Sequence, residues 1–147
     1  MPTVFAGSET YPAQPVPPVL TIGNFDGLHL GHRHLIRQLT DAAKAAKAPA
    51  VVYTFDPPPR VVLTPDNRAP RIQTWADKVQ IMDQLGVDHV VVETFTREFA
   101  AHPPEWFLDV VVGQRIKPQA MVVGYDFRFG CGRSGDVETL RSAFPDI

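Results

Sequence analysis

Two histidines and three glycines stand close together in the segment Gly23–His32 (GNFDGLHLGH). Glycine lets the backbone turn sharply and approach a bulky ligand, because no Cβ stands in the way. A helical pattern begins near the end of the segment, and the free N–H groups and positive dipole of a helix start suit a phosphate. Imidazole groups at that helix start would stabilise charge on a phosphoryl group during its transfer. The residues that this chemistry would use are Gly23, Gly27, His29, Gly31 and His32.

Two other interpretations of these histidines were weighed against phosphate binding. The first is a metal cluster of His29, His32 and His34, but His34 lies roughly 200° around a helix from His32. No cysteine or well-placed carboxylate completes a tetrahedral set of ligands, so we expect no protein-bound metal here. The second is a structural turn with incidental histidines, which is the usual role of a lone histidine and fits poorly with two histidines and three glycines in this order.

A second segment, Thr54–Arg60 (TFDPPPR), begins with the last two residues of the apolar run Ala50–Phe55 and continues beyond it. Its prolines fix the backbone, so one interpretation is a rigid turn that leaves a strand. A segment that directly follows a strand can also line a binding site. The two interpretations are compatible.

A third segment, Val122–Asp136, combines acidic, aromatic and arginine side chains. Asp126 can accept a hydrogen bond from a base or a ribose, and Phe127 or Phe129 could stack on an aromatic ring. The planar guanidinium of Arg133 suits a phosphate. Taken alone, such aromatic residues more often belong to a core, but their place beside two other polar segments favours a binding role.

Apolar runs typical of buried strands alternate with helical patterns along the chain. The predicted strands are Val19–Phe25, Ala50–Phe55, Asp88–Phe95 and Ala120–Tyr125. The first predicted helix begins near Gly31 and ends before Pro49. The second runs from an N-cap at Thr74 to Leu85, with Gly86 as terminator. The third starts after Pro103 and Pro104, and the fourth covers Asp136–Phe144. This alternation predicts an α/β protein with a Rossmann-like, doubly wound parallel sheet. Ligands bind such sheets at the carboxyl ends of the strands, where all three polar segments fall.

The composition bounds the class of protein. The chain has 147 residues, 44% of them hydrophobic, which fits one domain with one proper core. Its net charge of -2 argues against a nucleic-acid-binding protein, and it has neither an apolar run of membrane-spanning length nor a secretory signal pattern. Its lone cysteine, Cys131, excludes an internal disulfide and fits a reducing compartment, so we expect a cytoplasmic protein. The five prolines of residues 1–18 predict an extended, mobile leader before a domain over residues 19–147.

The pattern strand, GxFDGxHxGH, helix resembles the signature of the HxGH nucleotidyltransferase superfamily. The fuller wording GNFDGLHLGH is similar to the FAD synthetase family in particular, the N-terminal domain of the bacterial bifunctional riboflavin kinase/FAD synthetases. TFDPPPR resembles that family's TFxPHPR, and the stretch from Val122 to Asp136 resembles its VGxDFRFGxxRxGD. The likeness extends over Val19–Leu140.

The resemblance implies an FMN adenylyltransferase, which transfers AMP from ATP to FMN and gives FAD and pyrophosphate. Mg²⁺ would arrive on the ATP phosphates, and the protein would need no metal site of its own. The implied catalytic residues are His29 and His32. The implied ATP-binding residues are Gly23, Asn24, Phe25, Asp26, Gly27 and Gly31. The implied FMN-binding residues are Thr54, Phe55, Pro57, Pro58, Pro59, Arg60, Gly124, Asp126, Phe127, Phe129 and Arg133.

The sequence departs from the family pattern in two places. Pro58 stands where the family usually has histidine, which removes one donor from the flavin side of the site. The sequence ends at Ile147, before the position of the family's ISSTxxR segment and of the kinase domain that follows it. We therefore expect a domain that is incomplete at its C-terminus. The alternatives are a non-catalytic or truncated module that binds nucleotide or flavin, and another HxGH nucleotidyltransferase. The sequence predicts no oligomeric state.

Overall fold

The structure is a computed structural model that describes residues 2–23, 30–55, 75–94, 96–124 and 135–143. Within the helices, only the backbone is described for residues 30–32, 75–76 and 142–143.

A parallel sheet forms the centre of the described part of the chain. Its strands are β1 (Thr3–Ala6), β2 (Val19–Ile22), β3 (Ala50–Phe55), β4 (His89–Glu93) and β5 (Ala120–Met121). They lie in the order β1-β4-β3-β2-β5, and every neighbouring pair is parallel. All four residues of β2 and the first five of β3 are buried, as expected for strands that are covered on both faces. The predicted α/β fold with a doubly wound parallel sheet is confirmed.

The helical elements lie between and after the strands. They are a 3₁₀ turn (Ser8–Thr10), α1 (Leu30–Ala46), α2 (Trp75–Gln84), α3 (Arg97–Ala100), α4 (Pro104–Trp106) with its π-helical continuation (Phe107–Ile116), and α5 (Val137–Ala143). None of the helices in the described ranges is both long and apolar enough to cross a membrane.

Side chains alternate between the two faces of the sheet and form two cores. On one face, strand residues pack with the π-helix and α5; this first core includes Leu20, Ile22, Val51, Tyr53, Val91, Phe107, Val111, Ile116 and Leu140. On the other face they pack with α1 and α2; this second core includes Val19, Ile36, Leu39, Val52, Met82 and Val90. The sheet is therefore covered on both sides.

Helices α1 and α2 are each followed by a residue in the left-handed conformation. Lys47 has φ 53° after α1, and Gly86 has φ 89° after α2. The Ala48 N–H donates to the Ala43 carbonyl at 2.9 Å, and the Lys47 N–H donates to the Lys44 carbonyl at 3.1 Å. This pair of bonds is a Schellman motif, and Gly86 forms the equivalent pair after α2. The predicted terminator Gly86 is confirmed.

The starts of the later helices follow local chemistry. Pro103 is the N-cap of α4 and Pro104 opens it, as predicted. The Thr96 hydroxyl accepts from the Phe99 N–H at 3.0 Å and starts α3, a short helix that the sequence pattern did not predict. Asp136 caps α5 by accepting from the Thr139 N–H at 3.0 Å.

Three strands are shorter than predicted. β2 ends at Ile22 instead of Phe25, and β4 covers His89–Glu93 instead of Asp88–Phe95. Asp88 precedes β4 because its side chain accepts the Ala50 N–H at 2.9 Å. β5 has two residues instead of six, although the Val122 N–H still donates to the Leu20 carbonyl at 2.9 Å. The predicted ends Phe25, Phe95 and Tyr125, and the predicted N-cap Thr74, lie outside the described residues.

The expectation of a mobile leader is wrong for its first residues. Thr3–Ala6 forms the edge strand β1, which pairs in parallel with β4 from Thr3 opposite His89 to Ala6 opposite Val92. The Gly7 N–H extends this pairing by donating to the Val92 carbonyl at 2.7 Å. A short run between prolines can occupy a sheet edge, because an edge strand needs hydrogen-bond partners on one side only. The boundary of the domain at residue 19 stays a prediction.

Candidate active site at the carboxyl ends of the strands

The carboxyl ends of β3, β2 and β5 lie side by side at one edge of the sheet. Ile22 of β2 is opposite Tyr53 of β3, and Leu20 is opposite Met121 of β5. The Gly23 N–H donates to the Tyr53 carbonyl at 3.1 Å, which ties the residue after β2 to the end of β3. The three polar segments of the sequence each continue from one of these strand ends, so their first residues share one edge.

This edge includes the point where the winding of the sheet reverses. From β2 the chain proceeds to β3 and β4 on one side, and β5 then lies on the other side of β2. Parallel sheets bind ligands in the crevice that such a reversal leaves beyond the strand ends. The fold therefore offers a ligand site directly after β2, where the glycine- and histidine-rich segment begins.

The described nucleotide-side residues flank this position. Gly23 is half-buried at the end of β2, and α1 begins at Leu30, so the backbone of Gly31 and His32 belongs to its first turn. The predicted helix start near Gly31 is confirmed. A helix of this length presents free N–H groups and a positive dipole end at its first turn. The predicted residues Asn24, Phe25, Asp26, Gly27 and His29, and the side chain of His32, lie outside the described part.

Three of the predicted flavin-side residues are described. Thr54 is fully buried near the end of β3, Phe55 is half-buried as its last residue, and Gly124 is half-buried beyond β5. β3 and β5 flank β2, so these residues stand on either side of Gly23. The predicted residues that lie outside the described ranges are Pro57, Pro58, Pro59, Arg60, Asp126, Phe127, Phe129 and Arg133.

Phe55 belongs to a group of edge-to-face aromatic rings. Its ring centroid lies 5.3 Å from that of Tyr53 and 5.7 Å from that of Phe99. Phe99 in turn lies 5.6 Å from Trp106, and Tyr53 lies 5.6 Å from Phe107. Edge-to-face pairs at such distances are attractive and restrict the orientation of each ring. The orientation of Phe55 therefore depends on neighbours from β3, α3 and the π-helix.

A buried carboxylate lies at the same edge of the sheet. Glu93, the last residue of β4, is 7% exposed. Its Oε2 accepts from the Tyr53 hydroxyl at 2.7 Å and from the Ser8 hydroxyl at 2.7 Å, and its Oε1 accepts from the Ser8 N–H at 3.3 Å. Arg115 donates to the Ser8 Oγ at 2.9 Å. We call Ser8, Tyr53, Glu93 and Arg115 the Glu93 cluster.

Burial, followed by the negative charge of Glu93, raises the pKa of Tyr53 well above its usual range. The Tyr53 hydroxyl therefore keeps its proton and acts as a donor to the carboxylate.

The sequence prediction did not identify the Glu93 cluster. Its one local signal is Glu93 itself, a charged residue in the apolar run HVVVE. Glu93 comes two positions after buried Val91, and residues two apart in a strand point to the same face of the sheet. A buried acid requires donors, but nothing in the sequence says that one of them comes from Ser8, 85 residues earlier. Long-range partners of this kind become visible only when the sheet is assembled.

Comparison with known proteins shows the family of the chain. Residues 12–146 match the family described as FAD synthetase. The chain is 37% identical over 125 residues to a bifunctional riboflavin kinase/FMN adenylyltransferase of Escherichia coli strain K12, an alignment that covers 85% of this chain and 40% of the relative. It is 36% identical to a putative bifunctional riboflavin kinase/FMN adenylyltransferase of Geobacillus thermodenitrificans, covering 86% of this chain and 68% of that relative. The chain thus spans about 40% of the length of most of these curated relatives.

A solved structure resembles the whole fold. The crystal structure titled as a macrolide-efflux protein from Streptococcus pneumoniae superimposes with a TM-score of 0.86 and 26% sequence identity, covering 98% of this chain and 56% of that chain. The family match extends over most of the sequence, including all three polar segments and β2 to β5. The chain belongs to the FAD synthetase family.

Proposed function

We propose that this chain carries the adenylyltransferase activity of its family, the transfer of AMP from ATP to FMN. A phosphate oxygen of FMN would attack the α-phosphorus of ATP in line with the bond to the β-phosphate. That bond breaks, pyrophosphate leaves, and the new bond completes FAD, so no covalent enzyme intermediate is needed. Such transfers depend mainly on positioning and on neutralising negative charge.

One observation carries the proposal. The three segments that resemble the FAD synthetase motifs continue from three neighbouring strands, β3, β2 and β5, at the reversal point of the sheet. A site assembled from all three could contact both ends of a large composite substrate. Chance matches of motifs need not follow strands at all, and still less three strands that are neighbours in the sheet.

The nucleotide side is assigned to the segment between β2 and α1. We propose that Gly23, Gly27 and Gly31 admit the phosphates of ATP close to the backbone, and that Asn24, Phe25 and Asp26 are further ATP contacts. His29 and His32 would donate to the α-phosphate and to the departing pyrophosphate. The start of α1 favours these roles because its dipole attracts negative charge.

The flavin side is assigned to the segments after β3 and β5. Thr54 and Phe55 would open this pocket and Gly124 would allow close approach. The remaining proposed contacts are Pro57, Pro58, Pro59, Arg60, Asp126, Phe127, Phe129 and Arg133. Pro58 cannot donate a hydrogen bond, so this chain would hold its flavin with one donor fewer than relatives that have histidine there.

ATP would enter as its magnesium complex, which is a substrate and requires no resident metal site. The ion lowers the negative charge of the phosphates. We propose that the partners are these small molecules only, without nucleic acid or membrane. The lone cysteine fits a cytoplasmic location.

The deciding experiment is an adenylyl-transfer assay with ATP, FMN and Mg²⁺ on the wild type and on His32→Ala. Loss of a donor to the transition state is expected to lower kcat by about 10²–10³-fold. His34→Ala is the matched control, because His34 is exposed on the same helix and should leave the rate unchanged. A wild-type rate in His32→Ala would contradict the catalytic role of that residue.

The same protein distinguishes the alternatives. If the wild type quenches flavin fluorescence on titration with FMN but forms no FAD, the chain is a binding module. If it binds pantetheine phosphate or glycerol phosphate and not FMN, it is another nucleotidyltransferase of the superfamily, and the proposed function is wrong.

A further inference from the structure

The Glu93 cluster joins the first residues of the chain to the edge of the sheet where the site is proposed. Ser8 belongs to the 3₁₀ turn that follows β1, and it lies outside the range 12–146 that matches the family. It is fully buried and supplies two of the three donors to Glu93. A residue before the family region is thus bonded to the end of β4.

The hydrogen atoms of the cluster allow only one arrangement. Each hydroxyl has one proton, and those of Ser8 and Tyr53 both point to the Glu93 Oε2. The Ser8 oxygen is then free to accept from Arg115, whose guanidinium also lies 3.8 Å from the Glu9 carboxylate. A buried carboxylate requires hydrogen-bond donors, and the two hydroxyls and the Ser8 N–H supply them here. The Tyr53 hydroxyl is therefore fixed in place.

Tyr53 connects the cluster to both sides of the proposed site. Its carbonyl accepts the Gly23 N–H at 3.1 Å, on the nucleotide side. Its ring meets the Phe55 ring edge to face at 5.3 Å, on the flavin side. The carbonyl position is set by the β-ladder, whereas the hydroxyl bond to Glu93 adds to the packing that orients the ring. A change in the cluster should therefore reach Phe55 more than Gly23.

We propose that Ser8, Glu93 and Tyr53 act as positioning residues that fix the ring of Phe55 for flavin binding. This inference rests on the proposed function, since it assigns Phe55 to the flavin side. None of the three residues needs to touch the substrate. The N-terminal turn thereby becomes part of the supporting structure of the site.

The test compares Ser8→Ala with the wild type by two equilibrium titrations, one with FMN and one with a non-hydrolysable ATP analogue. A loosened Phe55 is expected to raise the Kd for FMN about threefold to tenfold. The Kd for the ATP analogue should stay within about twofold of wild type, because the Gly23 contact comes from the backbone. A purely structural role would weaken both ligands together or neither.

Thr10→Val is the matched control. The Thr10 hydroxyl belongs to the same turn, but it donates to the Gly7 carbonyl at 2.9 Å and not to Glu93. This variant should keep both Kd values. Tyr53→Phe is the second test variant, since it keeps the ring and removes the hydroxyl, and it should reproduce the selective loss of FMN affinity. It also serves if Ser8→Ala does not fold.

The outcomes separate the two proposals. If the wild type binds FMN and both test variants match it, or if both ligands weaken equally, the positioning role is wrong and the proposed function stands. If the wild type binds no FMN, the proposed function fails and this inference fails with it.

Discussion

Glu93 shows how a charged residue can occupy the interior of this sheet. Its carboxylate accepts hydrogen bonds from two hydroxyls and one backbone N–H, and the positively charged Arg115 donates to one of those hydroxyl oxygens. The bonds to Ser8 and Tyr53 are short, as expected when the acceptor is ionised. Removing any donor would leave a buried charge without full compensation. Substitution of a single residue of the cluster should therefore be destabilising.

The buried Tyr53 hydroxyl should make the stability of the protein sensitive to alkaline pH. The pKa of Tyr53 is raised by burial and by Glu93, so the folded protein holds the proton above pH 10.0, the usual pKa at which the unfolded chain releases it. The contribution of Tyr53 to stability should therefore be constant below that pH and decrease as the pH rises beyond it. Tyr53→Phe should lower the free energy of unfolding by about 1–3 kcal/mol near neutral pH but weaken its dependence on alkaline pH.

Urea denaturation at about pH 8 and about pH 10.5 measures this difference. Tyr11 must be included, because burial and then the negative charge of Asp88 raise its pKa as well. Tyr11→Phe should remove its own share of the alkaline loss, and the double variant should remove most of it. An unchanged alkaline loss in the double variant would show that neither hydroxyl is responsible.

At the scale of elements, local signals determined the helices better than the strands. The end of α1 before Pro49, the terminator Gly86 of α2, the helix start at the proline pair and the whole of β3 agree with the sequence, because glycine, proline and continuous apolar runs act within a few residues. The left-handed Lys47 after α1 was not predicted. β1 was missed, since the prolines around Thr3–Ala6 indicate extended chain and its partner β4 is distant in sequence. β5 was predicted too long because an apolar run does not reveal where pairing stops.

Substitutions at the left-handed residues of the two Schellman motifs should have opposite effects on stability. Gly86→Ala should destabilise the protein by about 1–2 kcal/mol, since φ 89° is strained for any residue with a Cβ. The added methyl would lie 3.9 Å from the Thr40 Cγ2, so the cost comes from the backbone and not from a clash. Lys47→Gly should instead stabilise by up to about 1 kcal/mol, because Lys47 is exposed and already occupies the left-handed region.

Chemical denaturation of the two variants checks both signs. Lys44→Gly is the matched control for Lys47→Gly: it makes the same exchange within the last turn of α1, at a helical position, and should cost about 1 kcal/mol. If glycine is unfavourable at both lysines, the end of α1 is not under the strain that its backbone angles indicate.

At the scale of the molecule, the fold class and the edge used by the candidate site followed from the sequence. Alternating strands and helices dictate a parallel sheet, and parallel strands bring every segment that follows a strand to one edge. The strand order did not follow from the sequence, because pairing among buried apolar runs is decided by packing across both faces. The neighbours β3, β2 and β5, and with them the arrangement of the site, required the assembled sheet.

The separation of the two cores by the sheet predicts additive effects across it. Ile36→Val in the second core and Ile116→Val in the first should each cost about 0.5–1.5 kcal/mol. The double variant should lose the sum within about 0.5 kcal/mol, since the two sites share no core. Phe55→Leu and Phe99→Leu are the contrasting pair, because their rings lie 5.7 Å apart and should show a coupling of about 0.5–1.5 kcal/mol. Strong coupling across the sheet would mean that it transmits strain between its faces.

The pairing of β1 with β4 also bears on how the chain folds during synthesis. β1 leaves the ribosome before the other described strands, yet the bond from Ser8 to Glu93 spans 85 residues, so this strand stays without its neighbour until β4 has been made. Closing so long a loop is slow compared with the pairing of β2 with β3. The strand that precedes its neighbours in the chain should consequently be among the last to dock, and it would complete the edge of a sheet whose centre has already formed.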